Sequence, residues 1–461
     1  MLFKRLCKWS DEMGKDDRIM HSSHESIIYE KREFFIYLLC LVAAVGYSLT
    51  NISIIGILAT CIICICVFYV PDNDLFPFIF GLQFLRIVIP FSIGSGSYGF
   101  ILFVYCCLFV RLIKKRYAYI DYIPLVFLLL LDIMTSAADG IFKIGDNINW
   151  IGSLVYVIYI LKVWKDEVDY EKLLVYFCLA EWTVCLINIL AEYRIFGQSL
   201  IPTMYGGFTS ELGAFAFGKA YAAVAGGNGI SFNNALAIAL CVIQFSRTTN
   251  FTRKVFFAIS SVFFLYTGFM VISRGFYIEL AIFITLYILS LIKRPKMFLS
   301  IIVVLSVLGT IFYGYFYDDL LSVFVNVTQR FEAGNADRSE LINNAQILLS
   351  SNWKVLLFGG GSYYPDTYGF TCHNLFWDSF VSLGIVGLIV YWGSIIKAVF
   401  CALKNRVCCN IVAFIPMIML VSFKTISGSI RDVGFYYYIA LVVIFAIDYC
   451  KYRVKDVENY E

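Results

Sequence analysis

The sequence contains one histidine at a position where it could do chemistry. His373 opens the run His373-Asn374-Leu-Phe-Trp-Asp378, where a long polar segment meets an apolar one, whereas His21 and His24 lie near the start of the chain. An imidazole at such a junction is half in water and can accept a proton near neutral pH. His373 is therefore a candidate general base. The alternative is a histidine at a helix start that hydrogen-bonds to a loop carbonyl.

Arginines occur in the same part of the chain. Arg274 lies in a short connection between two apolar segments, and Arg330 and Arg338 lie in the long polar segment that precedes the histidine. A guanidinium is always charged, and its planar donors fit phosphate oxygens. These arginines are therefore candidate phosphate ligands. The alternatives are snorkelling of Arg274 or its pairing with Glu279, and solvated loop arginines at the other two positions.

A further arginine lies inside an apolar segment. Arg86 needs a partner or a water-filled cavity there, which makes it a candidate functional residue. Three acids in similar positions could instead pair with it: Asp132, Glu181 and Glu279. Arg431 and Lys424 flank a later polar turn and could add positive charge to that of the other candidate arginines. The candidate substrate-binding residues are therefore Arg86, Arg330, Arg431 and Asn374.

The sequence predicts no metal site and no cofactor. The run Cys61-Ile-Ile-Cys64-Ile-Cys66 lacks neighbouring histidines, acids and glycines and lies within an apolar segment. Cysteines in such a setting are small core residues. The run Gly359-Gly360-Gly361 could form a nest of backbone amides for an anion, although a turn is the commoner role of such a run.

The elements that must position these residues are membrane-spanning helices. Of the 461 residues, 60% are hydrophobic and 15% are charged, against about 45–50% and about 25% in soluble domains. Stretches near the roughly 20 residues that span hydrocarbon lie at about 34–50, 52–70, 75–93, 99–113, 122–137, 148–163, 173–190, 230–246, 255–272, 275–292, 297–316, 374–398, 410–424 and 433–450. The sequence therefore predicts an all-α polytopic membrane protein with about 14 transmembrane helices. The 32 tyrosines suit rings at headgroup depth with their hydroxyls in water.

Basic residues predict the orientation. Most of the 36 Lys and Arg fall in alternate connections when the segments are threaded from a cytosolic start, as the positive-inside rule requires. The exception is the connection near Pro71 to Asp74, which should be cytosolic but has no basic residue. We therefore expect cytosolic tails over 1–33 and 451–461 and one polytopic membrane domain over 34–450.

Outward-facing loops are expected at about 191–229 and 317–372, the second before the twelfth helix. Within it, Arg338 opens an apolar periodicity that predicts a short helix on the membrane surface. The net charge of +3 gives no support to nucleic-acid binding.

The order of these motifs resembles the O-antigen polymerase and O-antigen ligase superfamily of bacterial envelope enzymes. The resemblance covers about residues 255–400. It consists of Ser273-Arg274-Gly275 between two helices, a long outer loop in which Arg338 opens a helix, Gly359-Gly360-Gly361, and His373-Asn374 before a helix that contains Gly384 and Gly387.

This resemblance implies a membrane glycosyltransferase at the outer face of the bacterial cytoplasmic (inner) membrane. The donor would be a glycan linked to undecaprenyl pyrophosphate and the acceptor a sugar hydroxyl. His373 would take the acceptor proton, and Arg274 and Arg338, supported by Arg330 or Arg86, would stabilise the departing pyrophosphate. A polymerase of O-antigen, capsular polysaccharide or exopolysaccharide is favoured over a ligase that transfers the glycan to a final acceptor. A chain-length regulator and a flippase are candidate partners.

A lipid-linked glycan flippase is the alternative from a different class, because a transporter would also have many spans and buried charges. A flippase should show two related halves and short loops on both sides. The sequence has no detectable repeat, and its longest loops lie on one predicted side. The sequence therefore favours an enzyme.

Overall fold

The structure is a computed structural model that describes residues 32–47, 52–83, 91–93, 96–98, 100–114, 122–138, 144–196, 227–270, 273–292, 336–361, 371–404 and 410–458, with a few single residues between these ranges. The first half of the described chain contains the helices α1 (32–47), α2 (Ser53–Tyr69), α3 (Asp72–Gln83), α4 (Phe100–Lys114), α5 (Ile123–Ala138), α6 (Ile144–Tyr159, continued by a π-helical turn over Ile160–Trp164) and α7 (Tyr170–Phe196). The second half contains α8 (Gly227–Arg247), α9 (Phe251–Met270), α10 (Arg274–Leu291), α11 (Ala336–Ser351), α12 (Trp353–Phe358), α13 (Leu375–Leu403), α14 (Ile415–Ile426, preceded by a 3-10 turn over Ile411–Phe414) and α15 (Val433–Glu458).

The helix positions follow from the apolar stretches of the sequence. Each predicted stretch except 297–316 overlaps one of these helices, and 297–316 lies outside the described residues apart from a few single positions. Local signals set several boundaries: α2 ends before Pro71, and side-chain oxygens of Asn352 and Asn374 cap the starts of α12 and α13. A helix closes its backbone hydrogen bonds within its own segment, as an apolar solvent requires.

One predicted span differs from the structure. The stretch at about 75–93 is helical only to Gln83 in the described chain, and a short antiparallel hairpin follows, formed by β1 (Phe91–Ile93) and β2 (Gly96–Tyr98). Apart from this hairpin, the described chain is helical, as the all-α prediction required. The reason for the hairpin is local, because the sequence around it holds Pro90 and alternating Gly and Ser, which are poor helix formers.

The predicted loops and tail also contain more helix than expected. α7 runs to Phe196, inside the expected loop at 191–229, and α15 runs to Glu458, inside the expected tail at 451–461. Within the expected loop at 317–372, α11 confirms the helix predicted after Arg338 and starts at Ala336. Its last residue is followed closely by α12.

Four helices in the described part of the chain are long and apolar enough to cross a membrane: Gly229–Arg247 within α8, Arg274–Leu291, Leu375–Leu403 and Gly434–Lys451 within α15. The spans in α8 and α15 are mostly buried inside the bundle, whereas α10 and α13 lie at its periphery. Large apolar side chains cover the outside of the bundle, and more than half of the surface of each of the following is exposed: Ile54, Leu58, Val262, Ile389 and Phe400. Soluble monomers rarely expose an apolar surface of this extent. It is typical of a helical membrane protein.

Tyrosines connect the central helix α15 to its neighbours. The hydroxyl of Tyr436 lies 3.2 Å from that of Tyr391 on α13, the hydroxyl of Tyr437 lies 3.0 Å from that of Tyr105 on α4, and the hydroxyl of Tyr438 donates to Asn233 Oδ1 on α8. These tyrosines are buried, so their hydroxyls do not lie in water as expected. A buried hydroxyl without water needs a partner on another helix. Consecutive positions on α15 therefore fix its register against three sides of the bundle.

Most ion pairs of the described chain cluster at one end of the bundle. They join Asp72 to Arg111, Asp74 to Lys172, Glu171 to Arg253, Asp448 to Arg247, and Asp166 to both Arg406 and Lys451. These residues lie at helix ends whose connections the sequence assigns to the cytosol. The connection near Pro71, which has no basic residue of its own, therefore lies at the same end as the basic connections. Its acids pair with bases from neighbouring helices.

Candidate functional site

Three helix ends meet at the end of the bundle opposite to these ion pairs. A Cβ atom on Gly275 would lie 3.5 Å from the Phe423 ring, so the start of α10 packs on the end of α14. Asn374 Nδ2 donates to the Thr425 carbonyl at 2.7 Å, so the start of α13 packs there as well. The turn between α14 and α15 lies at this end too. The structure thus brings four of the predicted site residues to one end of the bundle: His373, Asn374, Arg274 and Arg431.

His373 has an unusual backbone conformation. Its φ is 51°, the left-handed region, and among the described residues it is the only one other than glycine with a positive φ. The next residue, Asn374, is the N-cap of α13, and its Oδ1 accepts from the backbone N of Phe376 at 3.0 Å and of Trp377 at 3.2 Å. A left-handed residue other than glycine costs about 1–3 kcal/mol and persists where the surroundings hold it, commonly at functional sites. The half-buried His373 is held in such a conformation at a polar boundary.

Asp378 is a buried acid in the first turn of α13, and the sequence analysis assigned no role to it. Its Oδ2 accepts from Ser429 Oγ at 2.8 Å and from the backbone N of Ile430 at 3.0 Å. Its Oδ1 accepts from the backbone N of Cys372 at 3.4 Å. The sequence did contain a signal for this role, because Asp378 is an ionisable residue just inside an apolar run. Such a residue needs charged or hydrogen-bonding partners there. The partners themselves come from a distant part of the chain.

Arg431 has an acidic neighbour that the sequence did not pair with it. Its Nη2 lies 3.6 Å from Asp132 Oδ1, and Asp132 Oδ2 accepts from Trp150 Nε1 at 3.2 Å. The sequence named Asp132 as a possible partner of Arg86, and Arg86 lies outside the described residues. In the described part of the chain, Nε and Nη2 of Arg431 have no hydrogen-bond acceptor. A largely buried guanidinium with donors to spare is suited to an additional anion.

Lys424 does not offer an unpaired positive charge at this end of the bundle. Its ammonium forms an ion pair with Asp432 and lies 5.3 Å and 5.8 Å from the ring centroids of Phe423 and Phe435. The side chain is nearly fully buried. Its charge is therefore balanced within the turn between α14 and α15, and Arg431 is the cation of that turn with unused donors.

The glycine run forms a turn against α13. The amides of Gly360 and Gly361 donate to the carbonyls of Val381 (2.8 Å) and Ser382 (3.0 Å), so they are not available for an anion. Gly359 (φ 82°) and Gly361 (φ 53°) are both left-handed, and a Cβ on Gly361 would lie 2.4 Å from Ser136 Oγ of α5. α13 itself is interrupted at Gly384 (φ 64°), opposite this run. The glycines let α5 and α13 approach the connection closely.

The remaining predicted residues lie at other positions of the fold or outside its described part. Arg274 is the first residue of α10 and is half-buried. The backbone of Arg338 lies in the first turn of α11. Arg330, like Arg86, lies outside the described residues. Of the other suggested acids, Glu181 accepts from Asn233 Nδ2 at 2.7 Å in the interior, and Glu279 is buried in α10.

The described residues contain no group of three or more His, Cys, Asp or Glu side chains that could hold a metal ion. The side chains at this end of the bundle include an imidazole, a group that can transfer a proton, and guanidinium groups, which can stabilise negative charge. Comparison of the chain with protein-family models, with curated proteins and with solved structures finds no match.

Proposed function

We propose that this protein is a membrane glycosyltransferase that polymerises oligosaccharide repeat units linked to undecaprenyl pyrophosphate. The reaction would take place at the outer face of the bacterial cytoplasmic membrane and would extend an O-antigen, a capsular polysaccharide or an exopolysaccharide. The motif order over residues 255–400 supports this proposal. So does the meeting of an imidazole and guanidinium groups at one end of an apolar helical bundle.

In this proposal the chain crosses the membrane about 14 times with both termini in the cytosol. The end of the bundle that carries the ion pairs faces the cytosol, and the end with His373 faces outward. α10 contacts the turn at Ile411–Phe414, at the cytosolic end, whereas α11 and α12 pack against Cys372 and Val381 at the outer end. The predicted span at 297–316 would connect these two ends.

The proposed reaction transfers a glycan from one lipid to a sugar hydroxyl on another. The hydroxyl oxygen attacks the anomeric carbon of the donor, a new C–O bond forms, and the bond to the pyrophosphate breaks with its electron pair on the leaving oxygen. His373 takes the hydroxyl proton. Arg274, Arg338 and Arg431 stabilise the charge on the departing pyrophosphate, with Arg330 and Arg86 as further candidate ligands. Asn374 acts through the cap that holds His373.

The observation that carries the proposal is the left-handed backbone of His373. Asn374, the next residue, provides the cap of α13, so capping of the helix does not account for this φ. Strain of this kind is retained where a side chain must point in a required direction. The half-buried imidazole at a polar boundary then has the position that a base for a lipid-linked substrate needs.

Deletion of the gene followed by separation of the cell-surface glycan by length tests the proposal. Loss of long chains with single repeat units retained supports a polymerase. Loss of all transfer to the final acceptor would show a ligase instead. Accumulation of lipid-linked units on the cytosolic side would show a flippase and contradict the enzyme proposal.

A further inference from the structure

We propose that Asp378 is a positioning residue that sets the places of both His373 and Arg431, an inference that rests on the function proposed above. The Asp378 carboxylate bridges two segments that are distant in sequence. Oδ1 accepts from the backbone N of Cys372, the residue before His373, at 3.4 Å. Oδ2 accepts from the backbone N of Ile430, the residue before Arg431, at 3.0 Å. One side chain therefore holds the backbone just before each candidate functional residue.

The surroundings of Asp378 make this bridge firm. The side chain is almost fully buried, and Ser429 Oγ gives it a third hydrogen bond at 2.8 Å. Hydrogen bonds to an ionised acceptor are roughly twice as strong as those between neutral groups. The positive charge of Arg431 is near enough to interact electrostatically with the same carboxylate, and its Nη2 lies 3.6 Å from Asp132 Oδ1.

The bridge also completes the support for the strained histidine. Asn374 fixes the chain after His373 through the helix cap and through Thr425. Asp378 fixes the chain before it through Cys372. A left-handed φ persists only where the surroundings determine it from both sides. The proposal therefore assigns Asp378 to orientation of the base and of one phosphate ligand, without contact with the substrate.

Asp378→Asn tests this assignment. Asparagine keeps the shape but lacks the charge, and it places an NH2 group against one of the backbone donors. In membranes that contain the full-length protein and a lipid-linked repeat unit, we expect kcat to fall about 10–100-fold and KM for the donor to rise. Ser429→Ala removes one of the hydrogen bonds and should give a smaller loss of kcat. Asp166→Asn is the matched control, because Asp166 pairs with Arg406 at the opposite end of the bundle.

A second readout does not depend on activity. Cys372 is buried, and burial raises the pKa of its thiol to about 12, so its labelling by a maleimide should be slow. Release of the Cys372 backbone in Asp378→Asn should speed up this labelling, as measured by mass spectrometry of the Cys372 peptide. Asp166→Asn should leave it unchanged.

The outcomes separate the two proposals. Unchanged kcat and KM in Asp378→Asn, or equal losses in Asp378→Asn and Asp166→Asn, would overturn the positioning role. If Asp378→Asn does not fold, unchanged kcat in Ser429→Ala overturns it. If the wild-type protein forms no polymer, the proposed function fails, and unchanged labelling of Cys372 would then still overturn the bridge.

Discussion

Replacement of Asn374 by alanine should destabilise the fold modestly and lower activity much more. Asn374 Oδ1 accepts from the backbone N of Phe376 (3.0 Å) and of Trp377 (3.2 Å), and Nδ2 donates to the Thr425 carbonyl (2.7 Å). The substitution therefore removes the N-cap of α13. It also removes the hydrogen bond that joins the start of α13 to the end of α14.

The magnitude can be worked out from these hydrogen bonds. Loss of an asparagine N-cap costs about 1 kcal/mol, and loss of the hydrogen bond between helices costs about 1 kcal/mol more. A total of about 2 kcal/mol is a roughly 30-fold change in the folding equilibrium, which leaves a protein of ordinary stability mostly folded. Activity should fall further than this, because His373 loses the support for its φ of 51°.

Asn410→Ala is the matched control. Asn410 Oδ1 accepts from the backbone N of Val412 at 3.0 Å, and Nδ2 donates to the Tyr449 hydroxyl at 3.3 Å, at the opposite end of the bundle. Thermal unfolding in nanodiscs should give similar decreases in Tm for the two alanine variants. Glycan polymerisation per amount of folded protein should fall only for Asn374→Ala. Equal activity of the two variants would refute the reasoning that the cap positions the base.

Further predictions concern the arginines, the topology and the pH dependence of stability. Arg→Lys at Arg274 or Arg338 should lower activity sharply, because an ammonium lacks the planar fork for two phosphate oxygens. Loss of these transition-state contacts should cost several kcal/mol. Polymer yields within about twofold of wild type would instead indicate solvated arginines. A cysteine introduced near Lys404 should resist an impermeant thiol reagent in intact cells, and its labelling would overturn the orientation. Burial opposes ionisation of Asp166, but hydrogen bonds and charges from Arg406 and Lys451 outweigh it and hold the pKa of Asp166 below its ordinary value. This contribution to stability is present above the ordinary pKa of about 4 and is lost as the pH falls through the lowered value. The Tm of Asp166→Asn should therefore fall less at acid pH than the Tm of the wild type. An identical dependence of Tm on pH in the two proteins would contradict the pairing.

The sequence was sufficient to predict most helices, because apolar length and local breakers determine them. The stop of α2 before Pro71 and the helix that contains Arg338 are examples. The hairpin around Ser92 and Ser97 was missed, because the apolar average over the stretch at 75–93 hides the poor helix formers Pro90 and Ser92 near its end. The burial of the α15 tyrosines was missed because residue type alone does not show which side chains face other helices.

The site was predictable only in part. The residue types of His373 and Arg431 indicated their candidate roles, since the sequence has only three histidines and both residues flank apolar segments. The pairing of Arg431 with Asp132 could not be predicted, because it joins residues on distant helices. The same holds for the hydrogen bonds of Asp378 to the turn at Ser429. Such contacts depend on how helices pack, and a single sequence does not encode them locally.

The most direct test of the central claim is polymerisation by the purified protein in lipid vesicles supplied with one lipid-linked repeat unit. The wild-type protein should form longer glycans and release one undecaprenyl pyrophosphate for each new bond. His373→Asn should lower the rate about 10²–10⁴-fold with an unchanged Tm, because asparagine tolerates a left-handed φ but is not a base. Polymer formation by His373→Asn at the wild-type rate, or no new glycosidic bond with the wild-type protein, would contradict the account.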